Sequence, residues 1–274
     1  MPGTVVTTLT AETIDLYRQW CIARGRSENT AKAYKSDLTE FLKATGDVEQ
    51  EEYEELAQSW LNMYRLKVSP KTTARRLTSL RNFAAWAGWG KVLADYIAPT
   101  PGKTIPHPLP AGPDDVRRMI EHAKNFEQEA LVALGGFVGC RISESLSMTT
   151  DCFDVHAREV TIRGKGDKTR VVPLSDEAWA SIQAAWVLAH QKPDKRLISY
   201  QDRFARQIIR NLGARARIPR PVSSQDLRAT FATAILDKTG NIRLAQELLG
   251  HSSVETTQIY TGVHRAEMRE AVIF

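Results

Sequence analysis

Six of the chain's twelve prolines fall in one short stretch: Pro99, Pro101, Pro106, Pro108, Pro110 and Pro113. Each lacks an amide hydrogen and holds φ at about −65°, so the stretch cannot be helix and favours extended, semi-stiff backbone. It therefore divides the 274 residues into two units, each long enough to bury a core of its own. The boundaries read as a unit over 1–98, a linker over 99–112 and a unit over 113–274. Two bodies joined by such a strap can close round a cylindrical ligand.

Upstream of the prolines the periodicity is helical throughout. One helix from Ala11 to Arg24 puts Ile14, Tyr17, Cys21 and Ile22 on one face. Ser27 or Asn29 caps a second, striped by Ala31, Tyr34, Leu38, Phe41 and Leu42. A third runs from Glu51 to Leu66. Ser69-Pro70 opens a fourth, because proline suits a first helical turn, and Gly88 ends it. Between Lys67 and Arg81 stand five cations (Lys67, Lys71, Arg75, Arg76, Arg81) and no acid, and Lys32 and Lys35 make a smaller basic end on the second helix. Any one such lysine is ordinary solvated surface. An acid-free run points to phosphates, since cations near a duplex release its counterions. The net charge of +5 and isoelectric point near 9.1 lean the same way.

Downstream, a helix opens at Pro113, and a strongly apolar one from Ala130 to Val138 must be buried. Gly139-Cys140-Arg141-Ile142-Ser143-Glu144 follows directly. An arginine so near a core needs an anionic partner, and Glu144 lies one turn further on. Short strands are predicted over Phe153 to Val155, Glu159 to Arg163 and Thr169 to Leu174. The turn Gly164-Lys165-Gly166-Asp167-Lys168 joins the last two, leaving Lys165 at a tip able to reach into a groove. A helix bearing Trp179 and Trp186 comes next, then one from about Tyr200 to Ala214 with Arg203, Arg206 and Arg210 along one face. Ser224-Gln225-Asp226-Leu227-Arg228 begins another. Finally Leu244, Leu248 and Leu249 line a helix that Gly250 stops. His251 and a serine cap then lead into a short helix that delivers Tyr260. The fold class is mainly α: a helical domain followed by an α+β domain with a small antiparallel sheet.

Arg141, Lys165, Arg228, His251 and Tyr260 form a chemically coherent set. Two arginines and a histidine suit a phosphate and the added charge of its pentacoordinate transition state. A lysine can protonate a leaving alkoxide, and tyrosine is a competent oxygen nucleophile. Three cysteines without CxxC spacing suggest neither a zinc site nor a disulfide framework. Metal-free phosphoryl transfer from DNA onto tyrosine, with no cofactor, is the chemistry these residue types fit. No apolar run is long enough to span a bilayer and no signal peptide is evident, so a cytoplasmic protein without a membrane partner is expected.

Leu-Leu-Gly-His-Ser-Ser-x-x-Thr-Thr-Gln-x-Tyr, Gly-x-Arg-Ile-Ser-Glu, Gly-Lys-Gly-x-Lys-x-Arg-x-x-Pro-Leu and Asp-Leu-Arg-x-Thr-Phe-Ala-Thr resemble, in order and spacing, motifs of the tyrosine recombinases, the phage integrase family. The run from Glu28 to Leu38 is similar to the SAM-like core-DNA-binding domain of integrases and Xer-type recombinases. The resemblance implies a catalytic domain of the DNA breaking-rejoining type, working without metal or ATP. Tyr260 would attack the scissile phosphate, giving a 3′-phosphotyrosyl link and a free 5′-hydroxyl. Arg141 and Arg228 would clamp the non-bridging oxygens, Lys165 would protonate the 5′ oxygen, His251 would hydrogen-bond the phosphate, and Glu144 would hold the site together. Strand exchange would pass through a Holliday junction in a homo-tetramer on double-stranded core sites, assembled from monomers. The tail from His264 to Phe274 would dock on a neighbouring protomer, or alternatively pack on its own catalytic domain. The short segment before the first helix implies a minimal recombinase without an arm-site domain. An accessory protein, and the choice between an element integrase and an Xer-type resolvase, stay open.

Two positions depart from the pattern. The family usually has His where this chain has Gln225, and frequently a second His where it has Ala229. A family-derived DNA-binding protein with impaired catalysis is therefore the alternative.

Overall fold

The computed structural model describes residues 6–100, 106–164, 168–250 and 270–273. By internal contacts the chain divides into Met1–Thr104 and Ile105–Phe274.

The first unit contains α1 (Ala11–Ala23), α2 (Glu28–Thr45), α3 (Tyr53–Tyr64) and α4 (Pro70–Ala87). The helix starts follow the polar residues that precede them. Ser27 Oγ accepts from the Thr30 amide and Ser69 Oγ from the Thr72 amide, each at 3.2 Å, so two otherwise orphaned donors are satisfied. Gly88, in the left-handed region at φ +79°, closes α4. The core is aromatic. Tyr17 meets Phe83 edge-on at 5.5 Å and Phe41 meets Tyr53 edge-on at 5.7 Å, and all four rings are fully buried. Such pairs add ~0.5–1.5 kcal/mol each beyond their area. The Tyr53 hydroxyl donates to the Leu80 carbonyl at 3.0 Å, and burial pushes its ionisation well above the ordinary phenol range. The unit is not purely helical, as its periodicity predicted. Two-residue strands β1 (Thr8–Leu9) and β2 (Val48–Glu49) pair antiparallel, tying the N-terminal segment to the α2–α3 connection.

The second unit is built round α6 (Phe126–Gly136), buried from Ala130 onwards. Packed round it are α5 (Pro113–Glu121), α8 (Asp176–Ala189) and α10 (Ser224–Thr239). Close approach requires glycine here: a Cβ on Gly136 would lie 2.5 Å from Val116 Cγ1. After α7 (Ile142–Ser147), a three-stranded antiparallel sheet runs β3 (Phe153–Asp154), β4 (Glu159–Arg163), β5 (Thr169–Pro173), in that spatial order. Val160 pairs with Val172 and Ile162 with Arg170; Val160, Ile162 and Val172 point into the core. The remaining helices are α9 (Asp202–Arg215) and α11 (Ile242–Leu249).

Residues 106–112, read from the sequence as part of the linker, hydrogen-bond to the second unit. The Leu109 amide donates to Thr230 Oγ1 at 2.8 Å, and Arg220 Nη2 donates to the carbonyls of His107 (2.8 Å) and Pro108 (3.0 Å). Proline removes a donor but keeps its carbonyl, and here Arg220 takes up that acceptor. The described part of the tail also packs on its own unit: Ala271 and Val272 are buried in its core, and Lys238 Nζ donates to the carbonyls of Glu270 and Ile273.

Candidate active site

The site starts at a turn that only glycine fits. Gly139 has φ +73°, and a Cβ there would lie 2.5 Å from Phe231 Cδ1. This turn presents the Gly139 carbonyl and then Arg141, the residue that caps α7. The Arg141 amide donates to Glu144 Oε2 and its Nη1 to Oε1, both at 2.8 Å. Opposite lies α10, whose start is fixed by reciprocal Ser223–Asp226 hydrogen bonds. Arg228, buried on that helix, donates from Nη1 to the Gly139 carbonyl and from Nη2 to the Leu249 carbonyl at the end of α11. Its Nη1 lies 3.7 Å from Glu144 Oε2.

A third arginine completes the cluster. Arg170 on β5 donates from Nη2 to Glu144 Oε2 at 2.8 Å, from Nη1 to Oε1 at 3.2 Å, and from Nε to the Leu248 carbonyl at 2.9 Å. Arg170 is a site residue missed in the sequence, although a signal for it exists there. Arg170 shares a strand face with buried Val172, and an arginine turned inward from a strand needs an acid.

Burial alone would push the Glu144 carboxyl up. The hydrogen bonds from Arg170 and the Arg141 amide, with the Arg170 charge, overcome it and hold the group at about 2. Burial, then the charges of Arg141 and Arg170, bring the Arg228 guanidinium down to about 10, so it remains a cation at neutral pH. Burial pushes the Cys140 thiol up to about 12, leaving it protonated and inert. Among the described residues, three guanidiniums meet one carboxylate, so the cluster carries a net positive charge.

Arg141, Ser143, Gln225, Arg228, Leu249 and Pro106 line a cleft of about 480 Å³. Arg228 gives two of its five N–H groups to carbonyls, and the Arg141 side chain is 44% exposed. The arrangement suits a tetrahedral oxyanion: fixed donors and net positive charge.

The structure thus brings Arg141, Glu144, Gln225 and Arg228 together. Gln225 is exposed on the first turn of α10. Arg206 also borders the cleft, held by Asp202 at 2.6 and 2.9 Å, and Arg203 and Arg210 lie exposed along the same helix. Lys165, His251 and Tyr260 lie outside the described residues.

Most of the basic residues predicted to meet phosphates in the first unit are paired with acids, and one of them is buried. Arg76 is 7% exposed, its guanidinium over the Trp60 and Tyr64 rings at 4.6 and 5.3 Å and paired with Glu40. It is a packing residue, not a surface for phosphates. Arg75 donates to buried Asp37 at 2.6 Å. Lys32 pairs with Glu28 at 3.2 Å and Lys35 with Asp15. The run is acid-free in sequence but not in space, because α2 supplies Asp37 and Glu40 across the helix contact. Lys71 is exposed and makes no ion pair among the described residues.

The phage integrase family model matches residues 112–267, more than half of the chain, and the phage integrase N-terminal SAM-like domain matches 14–91. This chain belongs to the phage integrase family of tyrosine recombinases. Tyrosine recombinase XerD of Mycobacterium tuberculosis is 31% identical over 287 residues, covering 91% of this chain and 92% of that protein. XerC of Xanthomonas campestris pv. campestris is 30% identical over 272 residues, covering 91% and 84%. Among solved structures, a lambda integrase dimer bound to a COC′ core site has a TM-score of 0.71 at 14% identity, over 96% of this recombinase and 77% of that chain. XerH bound to its difH substrate has a TM-score of 0.66 at 18% identity, over 89% and 79%. These two share the fold. Among this recombinase's described residues no group of three or more His, Cys, Asp or Glu could hold a metal, and no helix is long and apolar enough to cross a membrane.

Proposed function

We propose that this tyrosine recombinase cuts and rejoins duplex DNA through a covalent bond between Tyr260 and a 3′ phosphate. The observation that carries the reading is the Arg141–Arg228 pair, anchored by Glu144 and open to a cleft of net positive charge. The scissile phosphate's non-bridging oxygens accept from both guanidiniums and from the Gln225 amide. Tyr260 Oη passes its proton to the neutral His251 imidazole and bonds to phosphorus, while the bond from phosphorus to the 5′ oxygen breaks and that oxygen departs with a proton from Lys165. His251 donates to the phosphate. Attack by the 5′-hydroxyl of a partner strand reverses the step. Two rounds make and then resolve a Holliday junction, which requires four protomers on two core sites, assembled from monomers in the cytoplasm.

The exposed arginines of α9 and Lys71 supply the sequence-independent attraction to the duplex. Gln225 is what favours the alternative, a protein that binds DNA without cutting it. An amide donates a hydrogen bond as histidine does but carries no proton near neutral pH. Acid–base work therefore falls to Lys165 and His251, and the presence of Tyr260, Lys165 and both arginines favours an active enzyme. The test is a nicked suicide substrate made from a core site. Wild type forms a covalent adduct, and Tyr260→Phe binds equally but forms none. Cleavage by Tyr260→Phe would remove Tyr260 from the role of nucleophile.

A further inference from the structure

Three arginines surround Glu144, and the chemistry above uses two. Arg170, 9% exposed at the side chain, has all three nitrogens occupied within the protein. It sits behind the cleft and does not line it. Its partners are informative. The two Glu144 oxygens that it holds are the same two that receive the Arg141 amide and guanidinium, and one of them lies 3.7 Å from Arg228. Its Nε holds the Leu248 carbonyl, the neighbour of the Leu249 carbonyl that Arg228 holds. The fit is close at this end of α11: a Cβ on Gly250 would lie 3.0 Å from Arg170 Cδ and 3.2 Å from its Nη1.

We infer that Arg170 is a positioning residue for DNA cleavage. It fixes Glu144, and through it Arg141 and Arg228, at the geometry that receives the phosphate, and it locks the end of α11 to that clamp. The inference rests on the reading of Arg141 and Arg228 as the phosphate clamp. Only a planar fork can serve both oxygens of one carboxylate and a carbonyl at once; a lysine ammonium is a point donor.

A merely structural arginine would not change how cleavage depends on pH. Among the described residues, the groups facing Glu144 are Arg141 from the start of α7, Arg170 from β5, Arg228 from α10 and the protonated Cys140 thiol. With Arg170 gone, the desolvation that pushes Glu144 up loses its main opponent, and the carboxyl moves up towards the assay range.

The experiment compares wild type, Arg170→Met and Arg170→Lys, measuring affinity for an intact core site and single-turnover adduct formation on the nicked substrate. Arg170→Met is expected to bind DNA like wild type and to form adduct ~100-fold more slowly, the scale of an ångström's misplacement at a reacting centre. Its rate relative to wild type should fall further as pH is lowered from about 8 to about 5, and adding Glu144→Gln should remove that dependence. Arg170→Lys keeps the charge, so its relative rate should not vary with pH, yet without the fork it should remain ~10-fold slow.

Wild-type rates in both variants, a rate loss matched by lost affinity, or a slow Arg170→Met whose relative rate ignores pH would each overturn the inference. If circular dichroism shows Arg170→Met unfolded, a folded Arg170→Lys with the wild-type rate overturns it alone. Wild type failing to form adduct on the same substrate is a separate result, and it removes the recombinase reading together with this one.

Discussion

Replacing Glu144 with glutamine keeps the shape of the side chain and deletes the one negative charge among Arg141, Arg170 and Arg228. The amide offers a single acceptor where the carboxylate offers two oxygens, and it turns an NH₂ towards a guanidinium that also donates. Two routes give the cost. The carboxyl is held at about 2 in the folded protein against its ordinary 4.5, and with the side chain 5% exposed this difference stabilises the fold by about 3 kcal/mol at neutral pH. Removing one partner of a buried ion pair independently costs about 3–5 kcal/mol. Taking about 3 kcal/mol, and about 2–4 °C per kcal/mol for a unit of this size, the second unit should melt about 6–12 °C lower. The sign of the pH dependence follows from a depressed carboxyl. Its contribution is complete above the unfolded value of 4.5 and is lost as pH falls towards about 2. Calorimetry of the full chain, wild type against Glu144→Gln, should therefore show a gap that is widest near neutral pH and narrows steadily into acid. A neutral-pH gap under about 1 kcal/mol, or one that stays constant into acid, would refute the claim that Glu144 is a desolvated hub of three cations.

Lys71→Gln should lower the slope of log affinity against log salt by about one unit, whereas Arg75→Gln should mainly destabilise the first unit by unpairing buried Asp37; salt titrations and melting curves separate the two. Gly139→Ala should cost about 2–4 kcal/mol in chemical denaturation, combining a left-handed φ with overlap on Phe231; an unchanged midpoint would contradict the turn geometry. Deleting Glu270 to Phe274 should cost about 2 kcal/mol through lost burial of Val272 while sparing single-site binding. A synapsis defect at full stability would instead show the tail docking on a neighbouring protomer.

The helices were legible because caps and apolar stripes are local. Ser27, Ser69-Pro70 and Gly88 mark starts and a stop within a residue or two of where they occur. Arg141 and Glu144 were legible as a pair because they are one helical turn apart. Arg228 was legible from its place inside the resembling motif Asp-Leu-Arg-x-Thr-Phe-Ala-Thr. What could not be read depends on contacts between distant segments. Asp37 and Glu40 neutralise Arg75 and Arg76 from another helix, so an acid-free run in one dimension misstates the charge of a surface in three. The β1–β2 pairing is two residues long and has no period to detect. The prolines of 106–112 announce stiffness, not whether their carbonyls find a partner such as Arg220. Arg170 stood inside a quoted motif, yet its task became visible only with Leu248 and Glu144 beside it.

Gln225 carries the sharpest question, because it stands in the cleft with both clamp arginines where the family usually has a histidine. The direct measurement is the single-turnover rate of covalent adduct formation on a nicked core site, for wild type and Gln225→His, across pH. With charge compensation supplied by Arg141 and Arg228 and protonation by Lys165, wild type should form adduct, and Gln225→His should be equal or faster by no more than ~10-fold, below the usual range for losing a general acid or base. An inert wild type beside an active Gln225→His would contradict the account and leave a DNA-binding protein that has lost its chemistry.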